Sequence, residues 1–160
     1  SSILALYAAV KIGTPAHASV LVVCDAAGSP NDTTQEISKD RDAKIGDWMK
    51  RRGITSYEPP PAVWPEHFFV SQEGAVTWII CGEPGTDVEI RFDKNYDPFR
   101  LDTDRGPSVF PGSIPPGGRE GRACGIITAG PVVRAGRGRY RIIVDGIEID
   151  PGGESPRKGS

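Results

Sequence analysis

At 160 residues, with 38% hydrophobic and 25% charged side chains, the chain has the length for one well-cored domain and the composition of an ordinary globular protein. A formal charge of -2 supplies no field that would gather phosphate backbones or anionic lipid, so neither nucleic acid nor a membrane is expected as a partner. The 20 Gly and 15 Pro favour short strands joined by loops over a helical bundle.

Two apolar runs open the chain, Ile3 to Ile12 and Ala18 to Asp25, split by Gly13-Thr14-Pro15. The first suits a strand or a helix, whereas Val20-Leu21-Val22-Val23 reads as a central strand. The first run lacks a basic leader and a small-residue cleavage site, and Lys11 interrupts it well short of a spanning helix. A cytoplasmic location is therefore expected.

Between Thr33 and Arg52 lie the chain's best helix signals. Thr33 and Glu36 have capping-box spacing, Ile45, Trp48 and Met49 share a face, and Gly53 suits the position past the end. One short helix is expected in the second half of this segment, followed by a stiff Glu58-Pro59-Pro60-Pro61 connector. Residues 28–61 thus read as a loop, helix and connector inserted after the first strands of a single domain spanning 1–152.

Beyond the connector the alternation is that of strands. Val76, Trp78 and Ile80 form one run, and Val88, Ile90 and Phe92 the next, with Gly82-Glu83-Pro84-Gly85 between them; the two are expected to pair antiparallel. The interval from Asp93 to Arg122 is turn-rich, with short strands around Phe99 and Val109, and strands follow at Cys124 to Thr128 and Val132 to Val133. The clearest signal is Arg139 to Asp150, where Asp145-Gly146 fits a two-residue type I′ turn. Pairing Val144 with Ile147 places Tyr140, Ile142, Val144, Ile147 and Ile149 on one face, and Arg139, Arg141 and Glu148 on the other. Residues 153–160 are expected to be a flexible tail.

These elements predict a mainly β protein, an antiparallel two-sheet β-sandwich with one short helix in the N-terminal third. Over residues 62–151, Glu66-His67-Phe68-Phe69-Val70, Val76-Thr77-Trp78, Val88-Glu89-Ile90-Arg91-Phe92, Asp97-Pro98-Phe99 and Gly138-Arg139-Tyr140-Arg141-Ile142 follow in an order that resembles bacterial cupredoxin-like (Ig-like) β-sandwich proteins. The resemblance implies a blue-copper site of two His, one Cys and an axial Met in redox-active members. Here His17 and His67 are the only histidines, Met49 falls in the expected helix, and Cys124 lacks a closely following His and Met. The implied relatives are therefore those without copper ligands, and no metal or other cofactor is expected.

Cys24, Cys81 and Cys124 are odd in number and lack short metal-like spacing, so buried free thiols are expected. His17, Cys24 and Asp25 are the nearest approach to a thiol nucleophile with a base and an orienting carboxylate. Asp93, Asp97, Asp102 and Asp104 crowd one loop that could take calcium or a sugar, although Lys94, Arg100 and Arg105 are interleaved. Arg137, Arg139 and Arg141 form a basic strand face, and Trp64 among prolines is a candidate anchor; these four are the expected interface residues. The leading expectation is a non-enzymatic interaction or assembly module acting through protein contacts, self-association by edge strands included. A ligand- or carbohydrate-binding sandwich using the loop 93–121 is the alternative, and an enzyme using Cys24 or the loop carboxylates is the second.

Overall fold

The computed structural model describes residues 4–10, 12–24, 62–102, 105–116, 123–149 and 157–158. Eleven strands and no helix occur among them: β1 Leu4–Ala9, β2 His17–Val23, β3 Ala62–Trp64, β4 His67–Ser71, β5 Ala75–Gly82, β6 Asp87–Phe92, β7 Val109–Ser113, β8 Ala123–Ala129, β9 Gly136–Val144, β10 Ile147–Ile149 and β11 Arg157–Lys158. The helix and proline connector expected between residues 33 and 61 lie outside the described residues.

The strands form two facing sheets. In the first, the long β9 pairs along one side with β1 and then β10, and along the other with β6; β7 continues beyond β6, β4 beyond β1, and β11 beyond β10. The second runs β3-β2-β5-β8. Alternation along the strands feeds one core between the sheets, with Leu4, Leu6, Phe68, Val70, Val88, Ile90, Phe92, Tyr140 and Ile142 from the first sheet against Val20, Val22, Val76, Trp78, Ile80 and Ile127 from the second.

Trp78 is the hub of that core: it is fully buried, and its ring lies 5.5 Å from Tyr140, 6.2 Å from Phe92 and 6.4 Å from Phe110. Burial pushes the Tyr140 hydroxyl far above the ordinary tyrosine range, only partly countered by the neighbouring Trp78 indole, so it stays protonated in the fold.

The sandwich is mixed, which corrects the antiparallel expectation. β1 runs parallel to β4 and β2 parallel to β5, in unbroken register from Ala5↔His67 to Ala9↔Ser71 and from His17↔Ala75 to Val23↔Cys81. In both β1–β2 and β4–β5 a strand of the first sheet arches over into the second, and the two arches stack. Pro15 C=O accepts from Ser71 N–H at 2.7 Å, Ala16 C=O from Ala75 N–H at 3.0 Å, and Ala9 C=O from Gln72 N–H at 3.2 Å. The long stretch between β2 and β4 lets the chain return in the same direction, which a tight turn cannot do.

Two further expectations change. β5 and β6 do not pair with one another, because the turn between them carries the chain from the second sheet to the first. Phe99 and Val132–Val133 are not in strands; Val132 is instead a buried loop residue whose N–H and C=O bond Gly74 and Glu73. Arg157 and Lys158 of β11 pair with Glu148 and Ile147.

The terminal hairpin follows its sequence signal. Ile147 lies opposite Val144, and Asp145 and Gly146 take φ of 49° and 81°, the left-handed pair that a type I′ turn requires. Tyr140 and Ile142 are buried as expected, but Ile147 is 42% exposed where the hairpin outruns the opposite sheet.

One side of the sandwich is closed by β7 against β8. A Cβ on Gly125 would fall on the Ser113 carbonyl oxygen, so only glycine admits that approach. On the opposite side, β3 and β4 end their sheets. No helix among the described residues is long and apolar enough to cross a membrane.

Candidate functional surface

The outward face of the first sheet gathers most of the chain's unusual side chains. Alternation along β9 turns Arg137, Arg139 and Arg141 away from the core, as expected from their spacing. Register then sets Tyr7 beside Arg137, and Phe69 beside Tyr7 on its other side. The Tyr7 ring lies 5.4 Å from Phe69 and 6.4 Å from His67, and Phe69 is 61% exposed. The face therefore passes from an aromatic row on β4 and β1 to a charged ladder on β9, β6 and β10.

The ladder is internally balanced. Arg91 lies directly opposite Arg141, a repulsive placement offset by carboxylates on both sides. Glu89 pairs with Arg91, Asp93 meets Arg139 Nε at 3.7 Å and Arg141 Nε at 3.6 Å, and Arg141 Nη1 donates to Glu148 at 3.4 Å. Arg139 also lies over the Tyr96 ring, 5.3 Å from its centroid. Arg137 is exposed beside Tyr7, so of the three arginines it is the one presented outward by the aromatic row. Next to the ladder, a groove of about 320 Å³ runs between Glu89, Arg91, Pro111 and Gly146 over the side chain of Ile143.

Trp64 is not part of this face. It pairs with Leu21 in β3 and points out from the second sheet, 40% exposed. Tyr7, His67 and Phe69 were missed as surface residues by the sequence reading, although the adjacent pair Phe68-Phe69 held a signal: on a strand, one of the two must face away from the core.

The acidic loop is engaged in holding the fold. Asp97 is 1% exposed, and its two carboxylate oxygens accept from Ser108 N–H at 2.6 Å and Phe99 N–H at 3.0 Å. Asp93 belongs to the arginine ladder, Asp102 approaches Arg105 at 3.8 Å on the surface, and Asp104 lies outside the described residues. No group of three His, Cys, Asp or Glu that could hold a metal ion occurs among the described residues. Replacing Asp97 by alanine is expected to cost about 3 kcal/mol, because one buried and one half-buried N–H donor lose a charged acceptor, with Asp97→Asn less damaging. Urea denaturation of both variants checks this.

The buried free thiols expected from the cysteine count are corrected by a disulfide. Cys81 on β5 lies directly across from Cys124 on β8, and the two are bonded. Cys24 packs half-buried against the core beyond the end of β2, and its N–H donates to Cys81 C=O at 2.9 Å. His17 begins the same extended strand, roughly 23 Å away at the usual rise per residue, and bonds Thr77 Oγ1 at 2.8 Å. The two members of the Cys24 trio that are described are thus held apart, and Asp25 lies outside the described residues. The histidines are separated too, with His17 on the outward face of the second sheet and His67 on that of the first.

Comparison with protein-family models, with curated proteins and with solved structures returns no match. What the fold itself defines is a mainly β, two-sheet, sandwich-like protein.

Proposed function

We propose that the chain is a protein-interaction module that docks an acidic partner on the outward face of its first sheet. The observation that carries this reading is the grouping of Tyr7, Phe69 and Arg137 in adjacent register, with Phe69 61% exposed. Aromatic side chains and arginine dominate the energetic centres of protein interfaces, since they bury large area with few rotamers lost and keep polar specificity. The paired ladder beside them forms a polar rim that is already ordered before contact. A non-enzymatic role and a cupredoxin-like ancestry without copper ligands belong to the same proposal; the two-sheet sandwich and the separation of His17 from His67 support the second. The Cys81–Cys124 disulfide favours an oxidising location over the cytoplasm expected from the sequence.

The test places a photo-crosslinking amino acid at Tyr7 or, on the opposite sheet, at the exposed Thr128. Adducts from position 7 with acidic protein segments, abolished by Arg137→Glu and scarce from position 128, are the expected result. Equal labelling from both positions, or none from position 7, would overturn the reading.

A further inference from the structure

We infer that the outer edge of β4 pairs with β4 of a second copy of this chain, antiparallel and about a twofold axis at Phe69. This rests on the interaction-module reading and adds a second contact to it, made at the edge of the same sheet and distinct from the acidic partner docked on its face.

The phase of the β1–β4 ladder fixes which groups are in use. Ala5 N–H donates to Glu66 C=O and Gln72 N–H to Ala9 C=O, so residues 66, 68, 70 and 72 turn their backbone polar groups toward β1. Residues 67, 69 and 71 turn theirs away. Ser71 is satisfied there, its N–H by Pro15 and its C=O by Gly74, whereas no strand among the described residues pairs with His67 and Phe69 on that side. Sheet edges are ordinarily blocked by Lys, Pro, a bulge or a covering loop. His67 to Ser71 contains neither Lys nor Pro, and its register with β1 is unbroken.

The open groups select the partner. Pairing is stopped at one end by Ser71, already bonded, and at the other by Pro65, which has no N–H. An incoming strand therefore gains bonds only at His67 and Phe69, and in a symmetric pairing only at Phe69, because His67 then lies opposite the engaged Ser71. It must compensate with an apolar side chain laid against Phe69, and a second copy meets that need by symmetry. With Phe69 opposite itself, the two N–H groups and two C=O groups exchange a doubly bonded pair, and Phe68 lies opposite Val70 of the second copy. On the outward face the two Phe69 rings meet, each backed by its own Tyr7, in a row of four aromatics. Glu66 falls opposite Gln72, so no like charges are opposed. The second sheet contributes as well, because β3 leads directly into β4 and brings the 40%-exposed Trp64 to the same open side.

The test is the solution mass of the full chain by light scattering across a concentration series, alone and as Phe69→Lys and Phe69→Pro. The proline removes only an N–H that points away from β1, a change that edge strands tolerate. Expected is a mass rising from one chain to two, with each substitution weakening the dimer at least about tenfold while circular dichroism stays unchanged. A wild-type chain that stays monomeric at millimolar concentration overturns the inference, as does a dimer indifferent to both substitutions. Cross-links from position 7 to a different protein, with a monomeric mass, would sink the second-copy inference alone; absent cross-links at position 7 would sink the interaction reading itself.

Discussion

Trp78→Ala is expected to lower stability by about 3–5 kcal/mol, the largest effect of any single truncation in this core. The indole is fully buried where the two sheets face each other, and its loss would leave Phe92, Phe110 and Tyr140 bordering the same void. The void cannot close by side-chain motion alone, because the surrounding rings are carried by β6, β7 and β9, which the sheet ladder holds in place. Trp78→Phe should recover much of the loss, since it restores the apolar contact and gives up only the remaining ring and its N–H. Chemical denaturation at fixed pH would read both. A loss under about 1 kcal/mol for the alanine variant would mean that Trp78 does not centre the core.

Removing the Cys81–Cys124 bond is expected to cost about 4 kcal/mol, from the entropy that a cross-link spanning 43 residues removes from the unfolded chain. The native strands need no help from it to find one another. β5 and β8 are paired from Val76↔Ala129 to Gly82↔Ala123, so the variant should fold to the same sandwich with a lower denaturation midpoint. Cys81→Ala with Cys124→Ser is the suitable pair of changes, since Cys81 is buried and Cys124 exposed. Comparison with the wild-type chain under a thiol reductant should give the same midpoint. If the double variant matched the oxidised chain instead, the bond would contribute nothing to folding.

Local signals were legible in the sequence and strand partnership was not. Asp145-Gly146 specifies a backbone conformation that few other residues adopt, and the turn formed with the expected register. The alternation of Val76, Trp78 and Ile80 and of Val88, Ile90 and Phe92 marks both runs as strands, and the structure buries all six residues, yet the two strands belong to different sheets and do not pair. Alternation records which face is buried and is blind to whether the next turn stays in one sheet or crosses to the other. The parallel pairs β1–β4 and β2–β5 were hidden likewise, because residues about sixty apart leave no mark on each other's local pattern. Of the surface residues, Arg137, Arg139 and Arg141 followed from their spacing on a single strand. Tyr7 and Phe69 come from different strands and meet only through parallel register, which is why the aromatic half of the face was missed. Cys81 and Cys124 are the same case: their pairing depends on β5 and β8 being neighbours.

The stacked arches also dictate an order of events on the ribosome. β1 lies between β4 and β9, and β2 between β3 and β5, so Leu4–Ala9 and His17–Val23 occupy interior positions in the two sheets and are made before any of the strands that flank them. β2 can be flanked once residue 81 has appeared, but β1 keeps one side open until Gly136 to Tyr140 are synthesised. The first sheet cannot be completed until β9 and the strands after it have been made, and β1 must be kept from pairing elsewhere in the meantime.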